Sequence, residues 1–172
     1  TKKYDSLEFA EMQESLGSGI GFGSSIDTTY ASMSSLKVNL EQTLDLFKEG
    51  LLNPTFPQVE LDKVKKRWLA GIDQELNSPA SMANREIRTL VYGPGHPYAK
   101  ASSSGIKSTV EAFKREDLID MYSKLTNPND ATFIITGDIS LDEATQLLNN
   151  KFTDWTSLNE TSAKVDLFNV ED

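Results

Sequence analysis

The sequence has no cysteine and a single histidine in 172 residues. Without cysteine, disulfides, thiolate zinc sites and cysteine nucleophiles are all excluded. His96 is the one imidazole that a Ser-His-Asp arrangement could use, and no G-x-S-x-G elbow accompanies it. Positive charge is also scarce, with 17 Lys and Arg against 26 Asp and Glu and a net charge of −9. Nucleic acid is excluded as a partner, because phosphate neutralisation needs clustered basic side chains. The densest basic patch, Lys63, Lys65, Lys66 and Arg67, sits beside Glu60 and Asp62 and reads as a solvated helix face with intrahelical pairs. Long apolar runs are missing: nothing approaches the ~20 residues of a membrane span, and no signal-peptide pattern opens the chain. The initiator Met is absent too, so Thr1-Lys2-Lys3-Tyr4 reads as a cut start rather than a native terminus. No compartment signal remains, and a periplasmic or other extracytoplasmic parent is compatible with what is left.

What is present describes a soluble globular chain, 38% hydrophobic and 25% charged, long enough to bury a core. Asp5-Ser6-Leu7-Glu8 has the form of a capping box, opening a helix that Gly17 stops. Gly17 to Ser25 alternates Gly and Ser with Ile20 and Phe22, and Thr28 to Leu36 alternates again, predicting an antiparallel strand pair with a turn near Asp27. Leu40, Leu44, Phe47 and Leu51 fall at helical spacing, and Asn53-Pro54 ends that helix. Pro57 fits the first turn of the next helix, with Leu61, Val64, Trp68, Ile72 and Leu76 along it. After the break at Asn77-Ser78-Pro79, a further helix runs to Tyr92 and stops at Gly93-Pro94-Gly95.

The polar loop from Ala99 to Lys107 leads into a second capping box, Ser108-Thr109-Val110-Glu111, and a short helix. Arg115 to Leu125 reads as another helix. Ala131 to Thr136 reads as a buried strand, closed by Gly137-Asp138. Ser140-Leu141-Asp142-Glu143 opens a last helix to about Trp155, and Val165 to Phe168 is a possible short strand. There is no internal repeat. The sum is an α+β domain with helices packed on one face of a small, mostly antiparallel sheet.

The order of these pieces is similar to that of the pitrilysin/insulinase (M16) zinc metallopeptidases. The resemblance runs through Leu16 to Phe22, Thr28-Thr29-Tyr30, and Asn39 to Leu52 with Asn53-Pro54-Thr55-Phe56. It continues through Tyr92 to Tyr98, including His96, Pro97 and Tyr98, then Ser108 to Tyr122, Asn129 to Thr132, and Thr136-Gly137-Asp138-Ile139. It implies a metallohydrolase-like (LuxS/MPP-like) fold, with one M16-type domain over residues 1–157 lacking its first strands and motif helix. Residues 158–172 would then be a linker or the start of the next homologous domain.

Active members bind zinc through an inverted H-x-x-E-H helix and a glutamate on a later helix. Matched residue by residue, the triplet at that glutamate is Ala70-Gly71-Ile72, so Gly71 stands at the ligand position. Glu75 lies one turn on, but sliding to it breaks the fit at Asn53-Pro54 and at Ser78-Pro79. A second acidic position of active members is Val64 here, and counting back from Gly71 puts the motif helix before Thr1. Catalytic zinc wants three protein ligands and an open position, which these residues do not supply. The expectation is therefore no catalytic residue, no metal and no cofactor in this chain, and zinc in another domain of the parent.

In active units the strand matching Gly19, Ile20, Gly21, Phe22 and Gly23 pairs with substrate backbone by sheet extension. Here the same glycines either leave room for a peptide, with Phe22 lining a pocket, or admit a neighbouring helix. The resemblance implies a non-catalytic chamber-wall domain of a peptide-degrading clamshell, partnered by other M16 domains or a paired subunit. A non-enzymatic M16-related scaffold is the alternative. An unprotected sheet edge, or the glycine-rich strand, would favour self-association.

Overall fold

Asp5 caps the first helix, α1 (Ser6–Ser15): its carboxylate accepts from Leu7 and Glu8 N–H at 2.8 and 2.9 Å, and Glu8 reaches back to Asp5 N–H. This is the capping box expected from the sequence, satisfying donors that a helix start leaves without partners. Gly17 ends the helix at φ +58, with its N–H on Glu14 O and Ser18 N–H on Gln13 O, the two bonds of a Schellman motif. The coordinates are a computed structural model describing residues 1–100 and 104–156. The expected strand at Val165–Phe168 and the segment 158–172 lie outside the described residues.

Seven α-helices and one two-stranded sheet are found among the described residues, which fall into two compact units: Thr1–Thr55 with 120–156, and Phe56–Ile119. The α+β class expected from the sequence is the observed one.

In the first unit β1 (Gly19–Ser24) pairs antiparallel with β2 (Thr29–Ser34), Gly19 opposite Ser34 and Ser24 opposite Thr29. Alternation puts Ile20, Ala31 and Met33 on one face, where α2 (Leu40–Leu52) covers them with Leu44, Phe47 and Leu51. The stripe of α2 is what makes this the core. Asn53 ends α2, and Pro54 offers no N–H to continue it. Helix α7 (Leu141–Lys151), capped by Ser140 and Glu143 in a second capping box, adds Leu147 and Leu148 to the same cluster. It ends four residues short of the expected Trp155, whose indole N–H instead donates to Thr126 O at 2.9 Å.

The second unit contains α3 (Gln58–Leu76), α4 (Pro79–Tyr92) and α5 (Lys107–Ala112). Its buried side chains are Leu61, Ile72, Ala99 and Val110. Pro57 is the residue before α3 rather than inside its first turn. Ser78 caps α4 through Ser81 N–H, and Pro79 fills the first helical position. Lys65 donates to Glu111 O and Phe113 O at 2.8 and 2.9 Å, a cation on the carbonyl end of α5. Helix α6 (Arg115–Leu125) follows.

Two local expectations are overturned. Ser108 caps nothing: α5 begins one residue earlier, at Lys107, behind Ile106, with no side-chain cap. Lys107, the first residue of the helix, pairs with Asp73 at 2.8 Å. Ala131 to Thr136 is not a strand, since it has no ladder partner, and every residue in it is exposed. The run has the composition of a buried strand, but a strand exists only through pairing, and none occurs here among the described residues.

Candidate functional site

Glycine-rich β1 is the first candidate. The three glycines project to the face opposite α2, and that space is already crossed from β2. A Cβ built on Gly19 would meet Ser34 Oγ at 2.9 Å, one on Gly21 would meet Ser32 Oγ at 3.3 Å, and one on Gly23 would meet the Tyr30 ring at 2.6 Å. Among the described residues no helix atom lies within 4 Å of a Cβ built on Gly19 or Gly21. The close helix approach is on the other face, at Gly50 of α2, where a Cβ would lie 2.7 Å from Phe22 Cζ. Phe22 stacks on Phe47 with ring centres 6.1 Å apart. Among the described residues the outer edge of β1 has no paired strand.

The second candidate is the zinc-ligand position of the resemblance. Gly71 lies in the interior of α3, exposed, with nothing within 4 Å of where a Cβ would be. Glu75, one turn on, is committed elsewhere. Its carboxylate accepts from Ser104 N–H at 3.0 Å and from Arg85 at 3.3 Å, and Arg85 also donates to Gly105 O at 3.0 Å. Both side chains are largely covered, 12% exposed for Glu75 and 20% for Arg85. Bonds from Ser104, and then Arg85, hold the Glu75 carboxyl below the ordinary glutamate range. The Trp68 indole N–H donates to Ser104 O. The set clamps the chain at Ser104-Gly105 onto α3 and α4. Sequence reading missed Arg85 here, since a pair ten residues apart across a helix break has no local spacing signal.

The third candidate is Tyr92-Gly93-Pro94-Gly95-His96-Pro97-Tyr98. Gly93 ends α4 at φ +81. Tyr92 stacks on His96 at 5.1 Å, Tyr98 meets both rings edge-on, and Tyr98 N–H donates to His96 Nδ1 at 3.1 Å. Pro97 begins a short 3-10 turn. This is an aromatic turn lock with His96 as its acceptor.

The other motif residues make local contacts. Asn53 donates to Glu49 at 2.8 Å and accepts Lys2 N–H at 2.9 Å. Phe56 takes a left-handed φ of +44, and its carbonyl accepts from Arg115 at 2.8 Å. Gly137-Asp138 closes the exposed run, with Asp138 3.3 Å from Lys37. The sites are not brought together into one constellation. Among the described residues no three His, Cys, Asp or Glu side chains form a metal-binding group, and the residues at the family's zinc position do not fit the metal. No helix of these residues is long and apolar enough to cross a membrane.

Comparison with known proteins agrees with this picture. Residues 1–90 match the model of the insulinase family (peptidase family M16), and residues 112–171 match the peptidase M16 inactive domain. The chain is 25% identical over 150 residues to the non-peptidase homolog YmxG of Helicobacter pylori, covering 87% of this chain and 34% of that protein. It is 26% identical over 169 residues to the probable zinc protease PqqL of Escherichia coli, covering 89% and 17%. The crystal structure of a peptidase M16 inactive domain from Pseudomonas fluorescens superposes with a TM-score of 0.85 at 28% identity, over 96% of this chain and 40% of that one. The structure of periplasmic PqqL shares the fold, with a TM-score of 0.78 at 21% identity, over 99% and 19%. The chain thus spans about a third or less of the length of these curated relatives. A family model matched over more than half its length, together with the Asn53-Pro54 and His96-Pro97-Tyr98 features in place, shows that this chain belongs to the insulinase (M16) peptidase family.

Proposed function

We propose that this chain is a non-catalytic wall domain of a larger M16 protein, ending near residue 157, whose parent cleaves peptides in a chamber with zinc held by another domain. The observation that carries this reading is the match of residues 112–171 to the inactive domain, joined to Gly71 at the ligand position. The domain's work is then to bound the chamber and to contact its neighbours. Helix α4 supports that role. Its half-buried positions are Ser81, Arg85, Arg88 and Thr89, whereas Ala83, Ile87, Leu90 and Val91 form an exposed apolar stripe. An apolar stripe turned to solvent is the kind of surface that another domain covers. The free edge of β1, with Gly19, Ile20, Gly21, Phe22 and Gly23, is where an extended peptide would add to the sheet.

The deciding experiment is the zinc content of the purified chain by mass spectrometry after dialysis against zinc. Less than about a tenth of an equivalent is expected, because no trio of ligands is assembled among the described residues. Near one equivalent overturns the non-catalytic reading. The similarity to a non-peptidase homolog favours a second reading, a scaffold or partner-binding subunit with no proteolysis in the parent. An intact H-x-x-E-H with its distant glutamate elsewhere in the parent supports the peptidase, and its absence throughout supports the scaffold.

A further inference from the structure

We draw no further inference here: the strongest candidate, the side-chain cluster of Trp68, Glu75 and Arg85 that holds the chain at Ser104-Gly105 onto α3 and α4, belongs to the candidate site already described.

Discussion

Phe22 lies directly on Gly50. A Cβ at Gly50 would come within 2.7 Å of Phe22 Cζ and 3.2 Å of Phe9 Cζ, so the helix can meet strand and first helix only because that position is bare. Gly71 is the opposite case, a helix-interior glycine with nothing within 4 Å. Gly50→Ala gains about 1 kcal/mol of helix propensity and loses about 1–3 kcal/mol to overpacking against two rings. A net loss of ~1 kcal/mol is expected. Gly71→Ala should keep the propensity gain, about 0.5–1 kcal/mol. Urea denaturation of the two variants checks the pair, and equal shifts would contradict the geometry.

That contrast shows which parts of the molecule the sequence made legible. The α2 stripe, the capping boxes at Asp5 and Ser140, and the stop at Asn53-Pro54 are local signals and appear where expected. The strand pair was readable from alternation, but the role of its glycines was not. They face Ser34, Ser32 and Tyr30, while the helix contact falls to Gly50, and such assignments depend on which face turns inward. The run from Ala131 to Thr136 failed because composition reports a preference and pairing requires a neighbour. The Glu75–Arg85–Ser104 clamp is a long-range meeting with no periodic trace. At the position that the resemblance gives to the zinc ligand, the sequence places Gly71, which has no side chain with which to hold a metal.

The two serines at expected capping boxes separate signal from outcome. Ser140 Oγ accepts Glu143 N–H at 3.2 Å, and Glu143 returns a bond to Ser140 N–H at 2.9 Å. Ser140→Ala should cost about 1 kcal/mol. Ser108 lies inside α5 and makes no cap bond, so Ser108→Ala should fall within about 0.5 kcal/mol of wild type. Thermal denaturation of both variants decides it, and an equal loss at Ser108 would mean that α5 begins later than described.

Ile72 and Val110 are the best-buried side chains of the second unit, each 1% exposed. Ile72→Ala should cost about 2–5 kcal/mol, the transfer term plus the cavity left behind. Neighbouring Gly71→Ala moves in the other direction, so the two substitutions on adjacent residues of one helix should have opposite signs. Chemical denaturation followed by Trp68 fluorescence would register both.

Acid should weaken the fold through three carboxylates. Glu75 is held low by Ser104 and then Arg85, Glu143 by the Ser140 cap, and Asp154 by Lys48. A carboxyl whose folded pKa lies below its unfolded value adds stability that is fully present above the unfolded value, and loses it as pH falls through the folded one. Stability should therefore be level from neutrality down to roughly pH 5 and decline below about 4, where the unfolded carboxyls take up protons first. Glu75→Gln removes one of the three contributions, so its stability should fall less steeply between neutral and acid pH than that of wild type. A melting temperature indifferent to pH across that window would show that the three bonds do not persist in solution.

Leu90 tests the partner surface without touching the fold. It sits on the solvent side of α4 with Ile87 and Val91, and its removal breaks no described hydrogen bond or buried contact. Leu90→Glu should leave the stability of this chain within about 0.5 kcal/mol of wild type. If the α4 stripe is the inter-domain surface proposed above, the same change in the parent protein, or in a mixture with a separately expressed neighbouring domain, puts a carboxylate into an apolar contact. There it must either pair or shed its charge, and association should weaken by about tenfold or more. Isothermal titration with the neighbouring domain reads the difference directly. An unchanged affinity would mean that the α4 stripe faces open solvent in the assembled protein and that the inter-domain contact lies elsewhere.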